Sequence, residues 1–347
     1  MVRHGWLHNP LMFIKKLFKS FSPLVFLLAI VALLYFYIPK SVVEMDKRVE
    51  ESNPNVLDEK RLILSSDLET FMAKGLPVIP DKSPTIFHYI IGNHRKWTEI
   101  RIKRAIEEIK NTEIETGKIR IWSIMNMGVV TKTKNHIIAF DTSDITLSLV
   151  QKKIANIADV ILITHGDPDH YDPMLLKKAL DNGKKVVLPK NFGFVFGNEN
   201  YPNLMELEYD KETEIEGVKI TAFQTDHRGD GNFMEPNAWY LVEVDGFTLL
   251  HTGDGMNFKN SKAKENLGKN YNIDIFLANR KLNAYDTRDV SPEVLAPLHL
   301  YKFVHNREEL NESTFKHVLN TYNQYTKELI GIDIKLLFTG ESFEFVK

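Results

Sequence analysis

Cysteine is absent from the 347 residues, which removes disulfides, thiolate zinc fingers and a cysteine nucleophile at once. Any metal must then be held by His, Asp or Glu. Neither sign of charge dominates: 44 Lys and Arg against 46 Asp and Glu leave a formal net charge of −2, so nothing electrostatic points to nucleic acid. Internal repeats and low-complexity tracts are also missing. The length allows one large domain or two small ones and is ample to bury a core.

One long apolar run is present. Residues 21–38 carry no charged side chain, and at a rise of ~1.5 Å per residue they just span a hydrocarbon layer of ~30 Å. Tyr35 and Tyr37 sit where an interfacial aromatic belt would lie. A cleaved signal peptide is the rival reading, but no small-residue cleavage site follows at 38–43; a buried core helix is a third. The expectation is an uncleaved single-pass signal-anchor, after a basic segment at 1–20. Arg3, Lys15, Lys16 and Lys19 precede it, whereas Lys40, Lys47 and Arg48 follow among Glu44, Asp46 and Glu50. By the positive-inside rule this favours a cytoplasmic N-terminus and a domain outside the cytoplasm. Residues 39–84 read as a charged stalk, a short helix or solvated tether ended by Pro77, Pro80 and Pro84, and 85–347 as the folded domain.

The chemistry concentrates at 158–173. A β-branched apolar run, 160–164, breaks into His165, Asp167, Asp169 and His170, as a buried strand reads when it delivers ligands at its C-terminal edge. Imidazole and carboxylate donors at this spacing suit zinc, iron or manganese. A solvated acidic loop with two chance histidines is the alternative. Asp172 followed by Pro173 marks a helix start, and Gly183 its stop, so the cluster lies in a strand-to-helix loop.

Around it, 93–111 reads as a basic helix, either a solvated surface face or a lipid contact. Strands are expected at 118–127, 129–141, 185–188, across a turn at Glu216-Gly217 within 214–223, in a hairpin at 239–251 around Asp245-Gly246, and at 273–277, 294–300 and 335–338. Helices are expected at 146–157 and 314–329. Three strands end in further ligand types: His227, Asp254 and His299. Singly, a strand-end histidine is usually a hydrogen-bonded residue; several together point to one shared site. Loops at 191–201 and 228–236 are candidate pocket rims, and Arg228, His251, Lys302 and His305 candidate contacts for an anionic substrate.

This succession resembles the metallo-β-lactamase superfamily: Asp141 ending an early strand, the His-x-Asp-x-Asp-His cluster at 165–170, then His227, Gly253-Asp254 and His299. The stretches 121–133 and 339–341 look like the subgroup that includes L-ascorbate-6-phosphate lactonase. The resemblance implies an α/β (α+β) fold, an αββα sandwich preceded here by one transmembrane helix. It implies two divalent metal ions, zinc foremost with iron or manganese open. His165, Asp167 and His227 would hold one ion, Asp169, His170 and His299 the other, and Asp254 would bridge them. Asp141 would brace the cluster loop, while Asp169 and Asp254 would orient a metal-activated hydroxide as the catalytic carboxylates. Asp167 stands where most members have histidine, and that added carboxylate is similar to the site of flavo-diiron proteins.

The function these features imply is a membrane-anchored metallo-hydrolase acting on an ester-like bond, a phosphodiester or a lactone, in a small or lipid- or envelope-associated substrate. Two other readings stay open: a di-iron redox or oxygen-handling protein, and a non-catalytic envelope protein that keeps the fold.

Overall fold

The computed structural model describes residues 40–55, positions 60, 61, 63, 64, 67, 68 and 71, and 93–143, 150–193, 200–227, 231–279, 284–299, 327 and 329–347. The expected span at 21–38 lies outside these residues. Among the described residues no helix is long and apolar enough to cross a membrane.

Two seven-stranded sheets face each other. The first holds β1 (Lys118–Met125), β2 (Gly128–Lys132), β3 (Ile137–Phe140), β4 (Val160–Leu162), β5 (Lys185–Pro189), β6 (Leu204–Leu207) and β14 (Ser342–Val346), in the order β14-β1-β2-β3-β4-β5-β6. The second holds β7 (Glu212–Ile215), β8 (Val218–Gln224), β9 (Ala238–Val244), β10 (Phe247–His251), β11 (Ile275–Asn279), β12 (Val294–Leu298) and β13 (Asp333–Ile334), in the order β13-β12-β11-β10-β9-β8-β7. Strand periodicity sorts side chains between layers. Val160 and Leu162 of β4 enter the core between the sheets, beside Phe140, Tyr240, Leu249 and Leu277, whereas Ile161 and Ile163 face outward under helices.

Those outer helices are α2 (Asn93–Asn111), α3 (Ile154–Ile157, after a 3-10 turn at Gln151–Lys153) and α4 (Pro173–Asp181). On the far side α5 (Ser261–Asn270) and α6 (Ala284–Val290) cover Phe223, Trp239, Leu250 and Phe276. The result is the expected αββα layering. β4 is buried on both faces, and each fully buried Val, Leu or Ile contributes about 1.5–3 kcal/mol relative to exposure. The ligand loop therefore departs from one of the best-anchored strands.

Part of the stretch read as a stalk packs on the domain. α1 (Lys40–Glu50) buries Val42, Met45 and Val49 on one side, against Leu64, Leu68, Phe71, Trp97, Leu336 and Phe338. Asp46 pairs with Arg101 at 3.4 Å and with Arg104 at 2.8 Å. The basic helix α2 is accordingly not a solvated face throughout. Arg95, Lys96 and Arg101 are buried, and Arg101 donates to the Thr339 carbonyl at 3.0 Å.

Several strand expectations change. The run 129–141 divides into β2 and β3, because Thr133 and His136 close a turn held by Asp245. The run 335–338 is a buried connection. Its backbone groups are taken by side chains, the Leu336 carbonyl by Arg61 and the Phe338 N–H by Glu341 at 2.8 Å, and the strand that pairs with β1 is β14. The helix expected at 146–157 is confined, where described, to the 3-10 turn and α3; that at 314–329 lies almost wholly outside the described residues. The α4 start is as the sequence predicts: the Asp172 side chain accepts from the N–H groups of Met174 and Leu175, with Pro173 at the first position. Asp245-Gly246 likewise turns between β9 and β10 with φ of 48° and 85°, the left-handed pair a two-residue hairpin needs.

Candidate metal centre

Strand ends from both sheets converge at one edge of the sandwich. β3 ends before Asp141, β4 before the 165–170 loop, β8 before His227, β10 before Asp254 and β12 before His299. All seven expected ligands meet there. Donor atoms of His165, Asp167 and His227 lie within 4.8 Å of one another, as do those of Asp169, His170 and His299, and of His165, His170 and Asp254. Asp254 stands between the groups: its carboxylate is 3.5 Å from His170 Nε2, 3.7 Å from His227 Nε2 and 3.8 Å from His299 Nε2. Asp167 Oδ2 is 3.6 Å from His165 Nε2 and 3.4 Å from His227 Nε2. Asp169 Oδ2 is 3.6 Å from His170 Nε2 and 3.5 Å from His299 Nε2.

The ring orientations follow from the surrounding hydrogen bonds. Asp141, fully buried, accepts from the Thr164 N–H at Oδ1, and from the Thr164 hydroxyl and His170 Nδ1 at Oδ2. Because the Thr164 hydroxyl gives its proton to Asp141, it accepts from His165 Nδ1 at 3.1 Å. Both imidazoles thus spend Nδ1 on the protein and turn Nε2 into the site. His165 Nε2 and His170 Nε2 are buried with no hydrogen-bond partner among the described residues. Orphaned buried nitrogens beside carboxylates are the chemistry of a cation site, so the residues present fit divalent metal ions.

The imidazoles and carboxylates of the cluster shift one another's titration. Burial opposes charge on His170, but Asp254, Asp141 and Asp169 outweigh it and push its pKa up to about 10. Burial likewise opposes ionisation of Asp254, yet His299, His170 and His227 hold its carboxyl well below the usual range. His165, buried and beside His170, is lowered. Metal binding must displace such protons.

Gly253 is forced by packing. Its φ is 50°, and a Cβ there would lie 2.3 Å from Thr164 Oγ1. The approach of β10's end to β4's end depends on a missing side chain.

Two asparagines escaped the sequence reading. Asn126, after β1, donates to Asp169 Oδ2 at 3.1 Å, and Asn279, at the end of β11, donates to Asp254 Oδ1 at 2.7 Å. Their signal was a polar residue closing an apolar run, which strand-end Asp and His shared. His251, a candidate substrate contact, faces the interior instead. It stacks on Phe140 at 4.9 Å, bonds the Met127 carbonyl through Nε2 at 2.9 Å, and accepts the Gly253 N–H at Nδ1. Burial lowers its pKa, as befits a neutral core imidazole. Arg228, Lys302 and His305 lie outside the described residues.

Comparison with known proteins agrees with this geometry. Residues 128–279 match the family described as the beta-lactamase superfamily domain. A metal-dependent hydrolase of Thermococcus onnurineus is 33% identical over 113 residues, 32% of this chain and 50% of that protein. Another, of Staphylococcus carnosus, is 24% identical over 179 residues, 47% of this chain and 75% of that protein. The chain thus spans half the length of the first relative and three quarters of the second. The crystal structure of CmlA, a diiron beta-hydroxylase from Streptomyces venezuelae, shares the fold with a TM-score of 0.50 at 11% identity, over 68% of this chain and 55% of that one. The region matched to that family contains β2 to β11 and the ligand loop between them, so the similarity falls on the strands that carry the cluster.

Proposed function

We propose that this chain is a metal-dependent hydrolase of an ester-like bond, a phosphodiester or lactone. The observation that carries the reading is the convergence of His165, Asp167, Asp169, His170, His227, Asp254 and His299, with two buried Nε2 atoms left for a cation. Divalent ions held there would act as Lewis acids and bring the pKa of a bound water toward neutrality. His165, Asp167 and His227 form one holding group, Asp169, His170 and His299 the other, and Asp254 reaches both. Asp141 and Thr164 fix the imidazole tautomers. Asp169 and Asp254 are the carboxylates placed to orient the attacking water, each steadied by an asparagine amide.

Residues 21–38 support a single-pass anchor with the domain outside the cytoplasm, so the substrate class extends to lipid- or envelope-associated esters. The helix α1 starts two residues after that run and packs on the domain, which suits a domain held close to its anchor.

The test is elemental mass spectrometry on the full chain, purified with zinc, iron and manganese supplied, together with phosphodiester and lactone turnover. About two ions per chain and turnover abolished by chelation are expected. Folded protein that takes up no ion would end the reading. One observation favours a second: Asp167 gives the first group a carboxylate beside two imidazoles, a harder donor set that suits iron. Iron in the purified protein, with dioxygen consumption and no hydrolysis, would select that di-iron reading.

A further inference from the structure

Asn126 lies at this edge outside the proposed ligand set, and its contacts reach further than the one carboxylate it steadies. It follows β1, is buried, and joins two ligands that come from opposite sheets. Its side-chain Nδ2 donates to Asp169 Oδ2, the same oxygen that faces His170 Nε2 and His299 Nε2. Its backbone carbonyl accepts the N–H of His299 at 3.1 Å. Asp169 belongs to the loop after β4 in the first sheet, His299 to the segment after β12 in the second.

Both ends of this link are conformationally constrained. Asn126 has φ of 50° and His299 φ of 56°, in the left-handed region that few side chains enter readily. The amide is also expensive where it stands. Asn126 Oδ1 is buried with no hydrogen-bond partner among the described residues, a situation that costs on the order of 1–3 kcal/mol. A glycine would provide the same backbone turn without that cost. Retaining a buried amide at such a position is the kind of local conflict that functional sites carry.

We propose that Asn126 is a positioning residue for the second metal position, holding Asp169 Oδ2 and His299 in register so that Asp169, His170 and His299 act as one ligand group. The proposal rests on the metal-site reading. Without the amide, the Asp169 carboxylate is free to turn about its side-chain bonds, and ordering it again falls on the binding step. Partners that orient metal ligands typically change affinity by about 10–100-fold when removed.

The test is titration of the chelator-stripped full chain with Co2+, read by visible absorption and by competition with a chromophoric chelator, beside Asn126→Gly and Asn126→Ala. Glycine keeps the positive φ and deletes the amide; alanine deletes both. In Asn126→Gly the first equivalent is expected to bind as in wild type, and the second about 10–100-fold more weakly with an altered ligand-field spectrum. Wild-type binding of both equivalents by Asn126→Gly would reduce Asn126 to a turn residue and overturn the proposal. Loss of both equivalents together with a lowered melting temperature would overturn it too, since the residue would then serve the fold. If wild-type protein takes up no Co2+, the metal-site reading itself falls and takes the proposal with it.

Discussion

Asp141 Oδ2 accepts a 2.8 Å hydrogen bond from His170 Nδ1, and neither side chain has any exposure. The same carboxylate takes the N–H and hydroxyl of Thr164, so one buried anion sets two imidazole tautomers. Asp141→Ala leaves those donors unsatisfied, at about 1–3 kcal/mol each. Asp141→Asn keeps the shape and tolerates the φ of 44°, but its Nδ2 cannot accept. Asn is expected to fold with reduced stability and to bind metal about 10–100-fold more weakly, by urea unfolding and metal titration. Unchanged metal affinity would mean that the imidazoles are oriented by packing alone.

A second expectation concerns Gly253. A Cβ at this position would meet Thr164 Oγ1, Cβ and Cγ2 at 2.3, 2.6 and 2.8 Å, and no rotation of Thr164 moves its own Cβ away. Gly253→Ala should displace Thr164, losing the bond to Asp141 and the seat of His165 Nδ1, in addition to backbone strain. We expect at least about 2 kcal/mol of destabilisation together with weakened metal binding. Paired substitution with Thr164→Ser should recover little, because Oγ1 and Cβ remain.

Arg61 carries a purely structural expectation. It pairs with Glu341 through both guanidinium nitrogens and also donates to the Leu336 carbonyl at 2.7 Å, all within the interior. Burial raises the Glu341 pKa against the pull of Arg61, so the ionised pair is held at a cost. Arg61→Ala would leave an uncompensated buried carboxylate, worth about 3–5 kcal/mol by chemical denaturation. Arg61→Lys cannot form the two-pronged contact and should recover only part. A loss under about 1 kcal/mol for Arg61→Ala would show that water or another cation replaces it.

The legible parts of the molecule are those in which one residue type has one use. His165 to His170 could be placed in a strand-to-helix loop because a fully apolar strand precedes it and an Asp-Pro helix start follows. Asp245-Gly246 could be placed in a hairpin because few pairs accept two positive φ values. The less legible parts depend on tertiary partners. α5 has Ala263 and Leu267 as its buried residues, too few to mark a helical stripe. The apolar run 335–338 reads as a strand, and only Arg61 and Glu341, remote in sequence, explain why it is not one. Asn126 and Asn279 could not be told from ordinary turn asparagines until the carboxylates they touch were in place.

Acid sensitivity should be traceable to Asp245. Its carboxylate accepts from Thr133 Oγ1 at 2.6 Å and from Asn135 Nδ2 at 2.9 Å, and lies 3.2 Å from His136 Nδ1. These donors outweigh the opposing effect of burial and lower its pKa from 3.8 to about 2. A depressed folded-state value gives stability that is present above pH ~4 and lost as pH falls through about 2. After solvent screening this is about 1 kcal/mol. Asp245→Asn keeps the left-handed turn and should flatten unfolding stability between pH 4 and 2 by that amount. An unchanged slope would assign the acid response to other carboxylates.

The last expectation is that Asp167 governs which metal is taken. Its carboxylate is partly exposed, lies between His165 and His227, and is held ionised chiefly by its contact with His165. A hard anionic oxygen beside two imidazoles favours iron and manganese more than an all-imidazole group does, and it places one more negative charge on the first position. Asp167→His removes that charge and supplies a borderline nitrogen donor. With zinc, iron and manganese offered together, the zinc share by elemental mass spectrometry should rise in Asp167→His relative to wild type. The total metal content of about two per chain should be kept, because Asp254 and the Asp169, His170 and His299 group are untouched. A fall in total metal with no change in its identity would mean that Asp167 is needed for occupancy, and that selectivity is set by the two imidazoles and Asp254.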